Sequence, residues 1–457
     1  MRRYHWAVLA LLGGISWLAS AAASPAQEIG IGEAMERLRS APKLKASEAA
    51  INAAEGKREA AEAKHYPQLA VASNNFMIDK DIDVDLSGVR DAVGRIDPAA
   101  AARIKDVTLQ DRNFGSLDAV LKYPLYTGGR ISAGVEVADS AIEASRQARE
   151  HTYEELLLEL VQRYYGVRLA EEALAVQQAA ASGLRQHQSN AGKLEQEGQI
   201  ANVERLSAEV AAAEADREAS VAERNLIMAR QALASLLDGQ DMPPPQVEIP
   251  NIASLPPLRR FISGTQGNNA QLKQLAATRK QAESAVGAVK GAYLPAVNLL
   301  AVRSMANYNL VDVWPEWTVA ATISLPLFDG GERRGKLHQA NARLEQVGQT
   351  YEQARRDMDL LVEQRYHELE NAQEQIRTLR RTRELSDESL RAQQKAFSEG
   401  MARSLDVVDA QNMRSKVLLA DLGARYTALT NYAALMLVSG QGPALEDWLR
   451  KTQESRP

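Results

Sequence analysis

Three carboxylates in this chain are spaced for a shared electrostatic task. Asp406 and Asp409 stand three residues apart beyond Gly400, so a helix starting there projects both from one face. Glu204 follows Gly198 at the same distance at which Asp406 follows Gly400. Carboxylates crowded together repel one another, attract cations and favour partly protonated states. Acids in a first helical turn also have a local use, because they complement the positive end of the helix dipole. Phe397 and Arg403 flank the same aspartates.

Other chemistry has little support. His65, His151, His187, His338 and His367 are scattered without ligand spacing. With no cysteine there is no disulfide, thiol ligand or lipid anchor. Asp79, Asp81, Asp83 and Asp85 alternate with Ile82, Val84 and Leu86 but lack a full calcium-loop pattern, and are expected at a wet strand edge or in an external loop. Gly128-Gly129 and Gly330-Gly331 sit in no phosphate-cradling pattern. No nucleophile stands near a base, so neither enzymatic activity nor a cofactor is expected. A net charge of -5 argues against a nucleic-acid partner.

The elements that position these residues are organised by a long internal repeat. Tyr123-Pro124-Leu125-Tyr126-Thr127-Gly128-Gly129 resembles Leu325-Pro326-Leu327-Phe328-Asp329-Gly330-Gly331, with Pro124 falling on Pro326 at an offset of 202 residues. The same offset carries Gln162-Arg163-Tyr164 onto Gln364-Arg365-Tyr366 and Glu197-Gly198 onto Glu399-Gly400, so the chain is a tandem duplication. No proline occurs between Pro124 and Pro243 or between Pro326 and Pro443, leaving room for one long helical hairpin in each span. Tyr153, Leu156, Leu160, Tyr164 and Val167 recur at steps of three and four, as do Met358, Leu361, Leu369, Ala372, Ile376 and Leu379 with one longer gap, so both helices read as coiled-coil walls. A helix from about 131 to 194 would rise roughly 100 Å, a returning one is expected over about 203–237, and a further one over about 270–292 completes the climb. The tip glycines close their helices.

Strands precede each Gly-Gly pair. Leu117, Ala119, Leu121, Tyr123 and Leu125 share one face, matched by Val319, Ala321, Ile323, Leu325 and Leu327, while Asp118, Lys122, Thr318, Thr322 and Ser324 lie opposite. Earlier strands begin after Tyr66-Pro67 and Tyr293-Leu294-Pro295. Each is about ten residues long, enough to cross a tilted bilayer path. Four strands cannot close a barrel, and open edges in lipid leave backbone groups unpaired. Several copies must therefore share one barrel; three give twelve strands, although closure alone permits two or four.

Arg2 and Arg3, an apolar run from about Trp6 to Ala19, and small residues at Ala21, Ala23 and Ala26 read as a secretory signal cut after Ala23 or Ala26.

Taken together, Tyr66-Pro67-Gln68-Leu69, Tyr293-Leu294-Pro295, the two Pro-Leu-aromatic-x-Gly-Gly turns and the tips Glu197-Gly198-Gln199-Ile200 and Glu399-Gly400-Met401 resemble the TolC-like outer-membrane factors. The resemblance covers nearly all the mature chain. It implies a mainly α protein with membrane β structure: a trimeric 12-stranded barrel, four strands per chain, continued by an α-helical coiled-coil tunnel. It further implies an outer-membrane exit duct in a Gram-negative bacterium, reaching into the periplasm and serving tripartite efflux or type I secretion. Partners would be a periplasmic adaptor, an inner-membrane transporter and outer-membrane lipid. On this resemblance Asp406, Asp409 and Glu204, with Arg403 and Phe397, form a periplasmic gate, a trimer gathering six aspartates round its axis. Glu197, Gly198, Gln199, Ile200, Glu399, Gly400 and Met401 form adaptor-docking tips. Pro124, Gly128, Gly129, Pro326, Gly330 and Gly331 make the strand-to-helix turns. The family often has Val before each tip glycine, where this chain has Glu197 and Glu399. The expected boundaries are a signal at 1–26, a first repeat at 27–241, a Pro-rich linker at 242–260, a second repeat at 261–442 and a tail at 443–457. The rival reading is a periplasmic coiled-coil adaptor or structural rod.

Overall fold

The structure is a computed structural model that describes residues 29–237, 239, 248–252, 255–310 and 315–454. The expected signal at 1–26 and residues 242–247 and 253–254 of the expected linker lie outside the described residues.

Two helices, α1 (Ile31–Leu38) and α2 (Pro42–Glu62), and a 3-10 turn at Ala63–His65 lead into strand β1 (Gln68–Met77). A small excursion follows, made of β2 (Ile82–Val84), α3 (Ser87–Gly94), α4 (Pro98–Ala101) and β3 (Val107–Gln110), before the chain returns as β4 (Asn113–Tyr126). The first hairpin is α5 (Arg130–Gln196) and α6 (Asn202–Leu236). The second half repeats the plan with α7 (Leu258–Asn268), α8 (Ala270–Gly291), β5 (Ala296–Tyr308), β6 (Trp317–Ser324), α9 (Glu332–Ser398) and α10 (Ser404–Val438), and closes on α11 (Gly442–Glu454).

Repeat and structure agree closely in length. Helices α5 and α9 each span 67 residues, and α6 and α10 each span 35. At about 1.5 Å per residue the long helices reach about 100 Å. Neither contains proline, and pairs such as Arg168 with Glu172 at 2.9 Å support the exposed faces at helical spacing. At the lower ends Gly198 (φ 72°) and Gly400 (φ 75°) take the left-handed conformation. Gln199 N–H then donates to Leu194 O and Met401 N–H to Ala396 O, satisfying carbonyls the helix would leave orphaned.

β1, β4, β5 and β6 form one antiparallel sheet in that order, so β1 and β6 are open edges. Leu121 lies opposite Leu69 on one side and Ala301 on the other, and Ala301 opposite Val319, which lines up an apolar face across all four strands. That face is open: Leu69 is 72% and Val319 67% exposed.

Below the sheet α5 is flanked by α2 and α8, and lower down by α6 and α10. Helix α9 packs on α8 and α10, and no described helix takes the place beside it that α2 takes beside α5. The main core lies midway along the long helices. Leu157, Leu160, Val161 and Tyr164 of α5, Val362 and Leu369 of α9, Leu429 and Leu435 of α10, and Leu38 of α1 are almost wholly buried there.

Two elements exceed the sequence expectation. The stretch ending the expected linker already starts α7, whose Phe261 and Thr265 are buried at i, i+4 spacing. The tail folds as α11, because Leu445 and Leu449 repeat at i, i+4 and dock fully buried into the main core.

Candidate functional site

The two hairpin tips meet at the lower end of the protein. Ala191, Ala208, Phe397 and Val407 form a small core there, with Leu194, Ile200 and Ala402 packed around it. Small side chains let four helices approach closely, and Phe397 fills the remaining space. Phe397 is therefore a buried packing residue of the tip and not an exposed lining one.

Ser404, the first residue of α10, is fully buried. Its backbone N–H is one of the donors that a helix start leaves without an internal partner. Glu204 supplies that partner, accepting the bond at 2.7 Å from α6 of the other hairpin. The Ser404 hydroxyl lies 2.7 Å from His187 Nε2 of α5. The His187 ring in turn meets Phe397 edge-on, with centroids 4.5 Å apart. One buried serine thus ties α10 to both helices of the first hairpin. Burial pulls the His187 pKa below its ordinary value, against the raising effects of the bond to Ser404 and of Glu204.

The repeat-related acids are used differently. Asp406 caps its own helix: its carboxylate accepts from Arg403 N–H at 2.9 Å and meets the Arg403 guanidinium at 3.1 Å. These bonds to Arg403, side chain first, hold the Asp406 carboxyl below the usual range. Glu204, also third in its helix, instead reaches across to the second hairpin. Asp409 is exposed and makes no hydrogen bond or salt bridge among the described residues. The cluster Glu204, Arg403, Asp406 and Asp409 therefore carries three acids against one base.

Of the other predicted tip residues, Met401 is exposed, and Gln199 donates to Glu197 through its amide at 2.9 Å. Glu399 lies 4.0 Å from Lys395. At the strand-to-helix turns Gly128, Gly129, Gly330 and Gly331 all have positive φ. Pro124 pairs with Asn298 near the end of β4, and Pro326 follows β6. In the second turn Asp329 accepts from Gly331 and Arg333 N–H groups at 3.1 and 3.2 Å.

The acidic segment after β1 is consumed by local structure. Asp81 accepts from Arg112 N–H, Asp83 from the Thr108 hydroxyl and Asp85 from Ser87 N–H. Among the described residues no group of three or more His, Asp or Glu converges to hold a metal ion.

An oily sheet face stands above long paired helices, and a charged cluster lies at their far end. None of the described helices is long and apolar enough to cross a membrane. The chain belongs to the outer membrane efflux protein family, which it matches over residues 35–239 and 261–441. It is similar to the cobalt-zinc-cadmium resistance protein CzcC of Cupriavidus metallidurans, with 23% identity over 371 residues, 79% of this chain and 86% of that protein. Among solved structures it is similar to CusC, with a TM-score of 0.76 and 16% identity over 94% of this chain and 96% of that one. It is also similar to the outer-membrane protein VceC of Vibrio cholerae, with a TM-score of 0.73 and 18% identity over 90% of this chain and 96% of that one. The protein is accordingly an outer-membrane exit duct for efflux that extends into the periplasm, in a family that works with an adaptor and an inner-membrane pump. This rules out the adaptor or rod reading.

Proposed function

We propose that three copies close one barrel and one helical tunnel, and that the hairpin tips are the periplasmic gate of that tunnel. The open edges β1 and β6 and the unflanked side of α9 support closure by further copies. The exposed stripe Val203, Leu206 and Val210 on α6 supports it too, since these residues lie away from the first hairpin's own core. The observation that carries the gate is the pair of bonds at Ser404, which join α10 to α5 and α6 through buried contacts. Breaking them frees the second hairpin to swing outward while the main core holds. Asp406, Asp409 and Glu204 then ring the axis and attract cations to it. A periplasmic adaptor docks on the turns at Glu197–Ile200 and Glu399–Met401 and supplies the outward force. The likeness to CzcC makes divalent metal cations the cargo class to test first.

The chain lacks cysteine, so engineered pairs report cleanly. One cysteine placed in β1 and one in β6 are expected to give a cross-linked ladder that ends at three subunits. A ladder ending at two or four overturns the trimer. Reconstituted Ser404→Ala, Glu204→Gln protein is expected to conduct more than the unmodified protein; equal conductance overturns the gate. A strain without the protein is expected to lose resistance to cobalt, zinc or cadmium salts, and unchanged resistance to all three removes that cargo.

A further inference from the structure

The oily sheet face carries one cation whose position calls for an explanation. Arg303 lies opposite Ala119 in β4 and Trp317 in β6, and Ala119 lies opposite Val71 in β1. Val71, Ala119, Arg303 and Trp317 thus form one row on the face that meets lipid. The rows toward the helices are apolar: Leu69, Leu121, Ala301 and Val319, then Tyr123, Leu299 and Ala321. The band ends at the helical side with exposed Tyr66, Tyr126, Tyr293 and Phe328, an aromatic girdle. Beyond Arg303, away from the helices, the next row is mixed, Ser73 beside Leu117 and Ala306, and the row after it is polar, with Asn75 accepting from the Tyr308 hydroxyl at 3.0 Å.

Strand geometry fixes the depth. From Val297 to Arg303 is about 20 Å along the strand, or about 15 Å of height at a tilt near 40°. The further residues down to Phe328 bring the band to about 25 Å, the apolar height of an outer-membrane barrel. Arg303 therefore sits at the outer rim, where a cation on the lipid face is tolerated far better than at the midplane. Its guanidinium lies 5.1 Å from the Trp317 ring centroid, and among the described residues no carboxylate pairs with it. Stacking on the indole leaves the guanidinium edge, with its forked N–H donors, turned to whatever lies beside the wall.

We propose that Arg303, oriented by Trp317, is a binding site for the phosphate of an anionic lipid headgroup in the outer leaflet. A forked guanidinium matches a phosphate in a bidentate way, and the low dielectric of the rim strengthens the pair. The occupant is a lipid because the row supplies an apolar wall for acyl chains directly below the charge. This inference rests on the outer-membrane location and the direction of the oily face, and stands apart from the gate.

The test uses the full-length assembled protein, stripped of lipid in detergent and offered diphosphoryl lipid A or its dephosphorylated form, with bound lipid counted by native mass spectrometry. The unmodified protein is expected to retain the phosphorylated form roughly tenfold better. Arg303→Gln is expected to abolish that preference, Arg303→Lys to keep part of it, and Trp317→Leu to reduce it several-fold. Persistence of the heat-modifiable oligomer in each variant separates loss of binding from loss of folding; should Arg303→Gln not assemble, Trp317→Leu and Arg303→Lys carry the test. Equal retention of the two lipids by the unmodified protein overturns the site, as does an undiminished preference in Arg303→Gln. Displacement by millimolar inorganic phosphate also overturns it, since the site would then serve free anions.

Discussion

His187 Nε2 and Ser404 Oγ lie 2.7 Å apart, both side chains buried, although 217 residues separate them in the chain. The contact binds the long descending helix of the first hairpin to the start of the returning helix of the second. Its removal in Ser404→Ala leaves the imidazole nitrogen buried without a partner, a cost of about 1–3 kcal/mol. His187→Ala adds the loss of the ring contact with Phe397. In a double-mutant cycle the two changes are expected to be less than additive, with a coupling of about 0.5–3 kcal/mol read from the apparent melting of the oligomer. Strict additivity would show that the two groups do not support each other.

The same pair makes the tip sensitive to acid. Burial lowers the His187 pKa from its ordinary 6.5, so the folded tip holds the imidazole neutral. The charged group acting on the imidazole is Glu204 from α6; Lys193 of α5 and Glu197 just after it line the same cavity as His187, and Arg403 and Asp406 pair with each other at the start of α10. Because the folded value is depressed, the full contribution is present above 6.5. It falls as pH drops through 6.5 toward the folded value, where the released tip takes up the proton first. Conductance of the reconstituted protein is expected to rise between about pH 7 and pH 5, and the rise to vanish in His187→Gln. An identical rise in both proteins would assign the titration to another group.

The scaffold was legible from sequence because helical walls repeat locally. Steps of three and four without proline gave helices near 131–194, 203–237 and 270–292, against Arg130–Gln196, Asn202–Leu236 and Ala270–Gly291 observed. Strand faces followed from alternation as far as Tyr123 and Ile323, but a register shift between Pro124 and Tyr126 takes Leu125 out of the pattern and β6 ends at Ser324, before Leu325 and Leu327. His187 was not legible as a tip residue, because its partners Ser404, Phe397 and Glu204 lie on three other helices and no spacing in sequence encodes their approach. A serine at the start of a helix signals only a cap, and this one is capped by another hairpin. The helix α7 was hidden by the prolines before it, which mark an extended chain up to Pro257 and say nothing of the buried Phe261 four residues on.

Asp406 and Asp409 are expected to separate a structural role from an electrostatic one. Asp406 is paired with Arg403 and closes the capping box, whereas Asp409 is exposed and feels the Arg403 charge only at a distance, without an ion pair. Asp409→Asn is therefore expected to weaken block by multivalent cations and leave melting unchanged. Asp406→Asn is expected to lower melting and to disturb block less. Replacing both with Ala raises conductance and weakens block together. Single-channel recordings with and without a trivalent cation decide the matter, and unchanged block in Asp409→Asn would reduce its carboxylate to a solvated surface group.

The two Gly-Gly turns test how copies meet. A Cβ on Gly128 would come 2.4 Å from the Gly291 carbonyl oxygen and 2.8 Å from Leu294, at the end of α8, whereas one on Gly330 would meet open space within a single chain. Both glycines have positive φ, 65° and 67°, so alanine costs each turn a similar strain of about 1–2 kcal/mol. By the repeat, the element that should stand against Gly330 is the counterpart of the end of α8, namely the 3-10 turn after α2 at Ala63–His65, supplied by the next copy. If it does, Gly330→Ala will destabilise the assembled protein by more than strain alone and will approach Gly128→Ala in its loss of the heat-resistant oligomer. If the turn faces lipid or water, Gly330→Ala will show the strain cost only, and the gap between the two variants will measure the contact that Gly128 has and Gly330 lacks.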